Sequence, residues 1–130
     1  MSASAVEIPF DLYGDLIGVP FVRGGRDTST GLDCYGLVIE MNRRLGVDIP
    51  DFASPGSLEA VEELIGRNKG RWRKVDPCPG ATLLFRVEGY LAHVGIMLSP
   101  VKMLHCQDPI GVMTAAPHFW PRLVSAYVYE

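Results

Sequence analysis

Three side chains in this 130-residue chain have the types and setting that nucleophilic chemistry needs: Cys34, His93 and His105. Cys34 stands in Gly31-Leu32-Asp33-Cys34-Tyr35-Gly36-Leu37-Val38-Ile39-Glu40-Met41. Counting from it, Leu37, Val38, Met41 and Leu45 recur at the spacing of one helix face. Asp33, a favoured N-cap type, directly precedes that pattern. The cysteine therefore opens a predicted helix, where the partial positive charge of the N-terminus favours thiolate over thiol. A cysteine on an apolar helix face serves as readily as a small buried hydrophobe, so the chemistry depends on a base supplied from elsewhere.

Two of the three histidines lie in alternating, strand-like segments. In Ala92-His93-Val94-Gly95-Ile96-Met97-Leu98, alternation puts Val94, Ile96 and Leu98 on one face and His93, Gly95 and Met97 on the other. Gly95 is expected to leave room for the backbone of the Cys34 helix to approach. In Lys102-Met103-Leu104-His105-Cys106, His105 faces away from Leu104 and Cys106. Pairing the two segments as a hairpin brings His105 beside His93. A neutral His105 would fix the tautomer of His93 and leave the nearer nitrogen for the thiol. Cys106 should point into the core, Cys78 lies in a loop between two prolines, and His118 sits in a turn-rich stretch outside the site. A metal centre built from Cys34, His93, His105 and Cys106 would have three converging ligands only, because Cys106 points away; no metal or other cofactor is expected.

Positioning these groups falls to a short helix over Pro9 to Ile17, an extended segment from Gly18 to Gly25, and a polar loop from Gly24 to Gly31. The Cys34 helix is predicted to end near Gly46, with Arg43 and Arg44 in its last turn. After a connector from Ile49 to Gly56, Ser57 caps a second helix from Leu58 to about Arg67. Strands are expected at Trp72–Val75, Thr82–Glu88, Ala92–Leu98, Lys102–Cys106, Gly111–Thr114 and Leu123–Tyr129, with turns at Pro79-Gly80 and Glu88-Gly89. Helices first and strands after make an α+β fold, with the Cys34 helix packed on a mostly antiparallel sheet in one domain, residues 1–130.

Composition narrows the function classes. A chain 48% hydrophobic and 21% charged has the balance of a globular protein. A net charge of −3 offers no basic field for nucleic acid or an anionic membrane. Three cysteines with no CxxC pair argue against a disulfide scaffold and a structural zinc site. Met1 to Glu7 lacks a basic region followed by an apolar run, so no secretion signal is expected. No stretch is apolar enough to span a bilayer. The cluster Arg67, Lys69, Arg71, Arg73 and Lys74 reads as a solvated turn face.

In this order, Gly18-Val19-Pro20-Phe21-Val22-Arg23-Gly24-Gly25, then Gly31 to Val38, Pro79-Gly80-Ala81-Thr82-Leu83-Leu84-Phe85, His93-Val94-Gly95-Ile96 and Met103-Leu104-His105 resemble the NlpC family of cell-wall cysteine peptidases. The resemblance spans about Gly18 to His105, and its Asp-Cys-x-Gly-Leu-Val and His-Val-Gly-Ile blocks are the specific ones. It implies a papain-like fold with Cys34 as nucleophile, His93 as general base and His105 as orienting residue. It also implies hydrolysis of peptidoglycan stem peptides, commonly between γ-D-glutamyl and a diamino acid, and places Asp33, Tyr35 and Phe21 at the substrate. Tyr35-Gly36-Leu37-Val38 and Gly46 to Phe52 resemble the phage-tail branch, which implies tail proteins as partners and delivery to the cell wall by the particle after cytoplasmic synthesis. Three positions depart from the family pattern: Phe21 stands for the usual tyrosine, Tyr35 for serine and Ala81 for aspartate. Tyr35 is expected to narrow the site from its rim. Two alternatives stay open, a structural tail-tip protein with weak or no hydrolysis and a thiol acyltransferase acting on a lipid or amine.

Overall fold

In the computed structural model, which describes residues 7–51, 58–67, 71–87, 91–117 and 122–130, the Asp33 carboxylate accepts from the Gly36 N–H at 2.7 Å. That bond satisfies one of the donors a helix start leaves unpaired, and α1 runs from there over Cys34–Arg44. The stop is equally local. Gly46, at φ +87°, takes a conformation that favours glycine. Its N–H donates to the Arg43 carbonyl while the Val47 N–H donates to that of Asn42. Arg44 ties this last turn to the N-terminal segment through Asp15 at 2.6 Å. A second helix, α2, spans Leu58–Arg67; the expected Ser57 cap lies outside the described residues.

Two short strands, β1 (Arg26–Asp27) and β2 (Gly31–Leu32), precede α1 and pair antiparallel. They occupy the stretch expected to be an irregular polar loop. The correction has a local cause: the Asp27 carboxylate accepts from both the N–H and the hydroxyl of Ser29, closing a tight turn that brings Asp27 opposite Gly31. The first predicted helix also differs. Pro9 to Ile17 forms two 3₁₀ turns, Phe10–Leu12 and Gly14–Leu16, hinged at Tyr13. The three-residue period turns Tyr13 and Leu16 inward and leaves Ile17 exposed, so the apolar residues do not form one α-helical stripe. The exposed Phe10 ring lies over Gly14, 2.4 Å from where a Cβ would be, so a side chain there would turn that ring aside.

The remaining strands are β3 (Trp72–Val75), β4 (Thr82–Val87), β5 (Leu91–Ser99), β6 (Lys102–Gln107), β7 (Gly111–Ala115) and β8 (Arg122–Tyr129). They form one antiparallel sheet in the order β3-β8-β4-β5-β6-β7. Each covers its predicted segment within about a residue at either end; Glu88-Gly89 lies outside the described residues. Alternation gives the sheet two apolar faces. Val94, Ile96, Leu98, Leu104 and Cys106 bury against Leu37, Val38 and Met41 of α1. Leu83, Phe85, Met97, Met103 and Ala126 form a second cluster on the other face. Ala81, where the resemblance expects aspartate, is fully buried in that second cluster, a place a carboxylate would not fill without cost. The basic cluster is anchored at its edge: Arg67 pairs with Glu63, and Arg73 with Glu130 at 3.2 Å.

Candidate active site

Cys34 is the first residue of α1 and meets the sheet beside Val94. The β5–β6 pairing runs from Ser99↔Lys102 to Gly95↔His105, so Val94 and His93 lie just past its end. Burial dominates the ionisation of Cys34 and pushes its thiol up to about 11. The Val94 N–H opposes that rise, the Asp33 carboxylate adds to it, and the N–H groups of Tyr35 and Cys34 itself oppose it. The activation expected from the helix start is therefore present but outweighed, and the resting group is a thiol. Behind it Cys106 is buried as expected. It donates to the Leu32 carbonyl at 3.1 Å, and burial, then the Cys34 and Asp33 charges, push it up to about 12.

The two strand histidines come together. His93 Nε2 lies 2.9 Å from His105 Nδ1, with the rings edge to face at 5.1 Å between centroids. His105 is fully buried, and His93 packs near the Phe85 ring. Burial holds His93 down at about 3, helped by the neighbouring His105, and burial alone holds His105 down at about 4. Both are neutral imidazoles. Gly95 makes this pairing possible rather than the approach of α1. A Cβ there would lie 3.0 Å from the Leu104 carbonyl and 3.3 Å from the His105 Cβ. Its expected role is thus corrected: α1 packs on the Val94, Ile96 and Leu98 face, and the glycine makes space for His105 on the other.

The start of α1 is held by a group the sequence reading passed over. Arg26 donates to Asp33 Oδ1 at 2.7 Å, to the Gly25 carbonyl at 2.9 Å and to Asp51 Oδ1 at 2.8 Å. Its guanidinium sits 5.7 Å from the centroid of the Tyr35 ring. Gly36 admits this arrangement, since a Cβ there would lie 2.2 Å from the Gly25 carbonyl. Asp33, expected at the helix start and at the substrate, caps α1 and pairs with Arg26. Tyr35, expected at the rim, is buried and donates its hydroxyl to the Pro50 carbonyl at 2.6 Å. Phe21 bridges to Leu32 through the backbone and packs against the core. The available signal was an arginine among glycines and small polar residues shortly before the cap. His118 lies outside the described residues. Among the described residues, no group of three or more His, Cys, Asp or Glu is placed to hold a metal ion, and no helix is long and apolar enough to cross a membrane.

A cysteine opening a helix that packs on an antiparallel sheet, with a histidine pair on adjacent strands, defines a papain-like α+β protein. A family profile described as NlpC/P60 family matches residues 18–127, and the chain belongs to that family, whose members are generally cysteine peptidases and peptidoglycan hydrolases. Solved structures share the fold. The NlpC/p60 domain of peptidoglycan hydrolase SagA superposes with a TM-score of 0.63 at 23% identity, covering 97% of each chain. An NLP/P60-family protein similar to lipoprotein from Staphylococcus aureus subsp. aureus Mu50 gives 0.64 at 20% identity, covering 99% of this chain and 45% of that one. An NlpC/P60 family protein from Bacillus cereus ATCC 10987 gives 0.64 at 19%, covering 96% and 41%. This chain thus spans less than half the length of the latter two. A comparison with curated proteins finds no match.

Proposed function

We propose that the chain is a cysteine peptidase that hydrolyses peptidoglycan stem peptides, cutting between γ-D-glutamyl and a diamino acid. The observation that carries this reading is the placement of the Cys34 sulfur at the start of α1, beside the strand where His93 and His105 pair at 2.9 Å. Among the described residues no hydrogen bond joins Cys34 to His93, so transfer of the thiol proton to the His93 ring requires the two to approach as substrate binds. The sulfur then bonds to the scissile carbonyl carbon, and the amide C–N bond breaks as His93 returns the proton to the leaving amine. Water cleaves the resulting thioester and restores the thiol. Backbone N–H groups at the start of α1 suit the developing oxyanion. Because both partners rest uncharged, proton transfer has to accompany substrate binding.

The likeness of Tyr35 to Val38 and of Gly46 to Phe52 to the phage-tail branch supports a tail component, synthesised in the cytoplasm and carried to the wall with tail proteins as partners. Digestion of purified sacculi by wild type and Cys34→Ala, with mass spectrometry of released fragments, tests the reading. Wild type should free fragments carrying a new amino group on the diamino acid. Identical fragments from Cys34→Ala, or none from wild type, would overturn it. One observation favours the structural alternative, the burial that holds Cys34 protonated; tight association with tail proteins and no turnover would establish that role.

A further inference from the structure

Arg26 sets a cation where helix stability alone would not place one. Its Nη1 lies over the first turn of α1, 3.2 Å from where a Cβ on Gly36 would be, and a positive charge there opposes the helix dipole. The position is nevertheless built. Strand β1 pairs Arg26 with Leu32 of β2, and β2 runs straight into Asp33. One Asp33 oxygen, Oδ1, accepts both the cap bond from the Gly36 N–H and the bond from Arg26, each at 2.7 Å. That carboxylate is buried and directly precedes Cys34, and among the described residues it is the charge that opposes ionisation of the sulfur. The other ionisable groups about the thiol, Tyr35 on α1, Cys106 on β6 and His93 on β5, are kept uncharged by burial. Toward α2, β3, β4 and β8 Cys34 faces an apolar cavity walled by Val61, Ile65, Trp72 and Leu84, with the hydroxyl of Tyr127.

We propose that Arg26 is a positioning residue of the reaction: by holding the Asp33 carboxylate on a cation, it offsets that charge at Cys34 and lets the sulfur become a thiolate. The inference rests on Cys34 being the nucleophile and names the residue that tempers its surroundings. A carboxylate paired at 2.7 Å acts on a third group through two opposed potentials, which cancel in large part. Unpaired, the same carboxylate would meet the developing thiolate as a full like charge on the adjoining residue.

The test is the rate of Cys34 alkylation by iodoacetamide between pH 7 and 9, read by peptide mass, with fragment release from sacculi measured on the same proteins. Arg26→Gln keeps hydrogen-bonding groups without the charge and should slow alkylation roughly twofold to fourfold. A midpoint raised by about half to one unit does this, because the more basic sulfur is also the better nucleophile and recovers part of the loss. Arg26→Lys, which restores the charge, should recover the wild-type rate to within about twofold. Asp33→Asn keeps a good cap and removes the carboxylate, so it should alkylate faster than wild type. If Arg26 served only to hold the helix start, its loss would hydrate the thiol and speed alkylation, since burial is the main cause of the raised Cys34 pKa. An Arg26→Gln rate equal to or above wild type, with fragment release intact in wild type, would overturn the inference alone. Should Arg26→Gln not fold, an Asp33→Asn rate equal to or below wild type would overturn it in the same way. No fragments from wild type would overturn the peptidase reading, and this inference with it.

Discussion

On one side of Cys34 the chain is held by charge. Arg26 joins the β1–β2 hairpin, the Asp33 cap, the Tyr35 ring and Asp51 in a single cluster. On the other side the same residue faces Leu84, Val94, Trp72 and the α2 residues Val61 and Ile65, with no charge among them. The polar flank spends its hydrogen bonds internally, so it fixes where the helix begins and has little left for a substrate. The apolar flank has few bonds to make and leaves space. The two surroundings meet at Tyr35, which stacks near Arg26 and also lines the apolar cavity, and burial, with the Asp33 charge adding to it, accounts for the raised Cys34 pKa.

The apolar flank can be broken most severely. Leu84 is almost fully buried between cavity and core, so Leu84→Ala should cost about 3 kcal/mol in chemical denaturation through lost burial and added void. The histidine pair on β5 and β6 should respond to pH through a like exclusion of charge. Both rings rest below the ordinary value of 6.5, so below that pH the unfolded chain binds protons the folded one refuses. Stability is complete above about 6.5 and should fall from there toward pH 5, with a slope of up to about 1.4 kcal/mol per unit for each ring. The His93→Gln, His105→Gln double variant should be flat over that window. On the polar flank, Arg26→Met leaves the buried Asp33 carboxylate without its cation and should cost roughly 2 kcal/mol, less than a fully buried pair because Arg26 is partly exposed. Tyr35→Phe should cost about 1 kcal/mol in chemical denaturation, the worth of its bond to Pro50.

What could be read from the residues was what depends on near neighbours. The Asp33 cap, the Gly46 stop and the strand segments each follow from a few adjacent side chains, and the meeting of His93 with His105 follows from alternation across one hairpin. The failures share a different cause. Arg26, on a hairpin that looked like a loop, meets Asp51 at a sequence separation of 25, and Tyr35 of α1 meets Pro50 at 15. The Cys34 environment was half legible. Its helix start is a local property, but the burial that outweighs it comes from the sheet and α2, which no neighbouring residue announces. Gly95 was recognised as a close-contact position, yet which body came close depended on which sheet face α1 chose.

The central claim is that His93 takes the proton of Cys34, and the rate of iodoacetamide modification of Cys34 across pH tests it most directly. The wild-type rate at pH 7 should be below that of a free thiol, rising toward about 11 as the thiol ionises. In His93→Gln the rate at pH 7 should drop by about tenfold or more, since the variant lacks the base, with Cys106 unmodified in both. Superimposable wild-type and His93→Gln profiles would show that no proton passes between the two residues and would contradict the account.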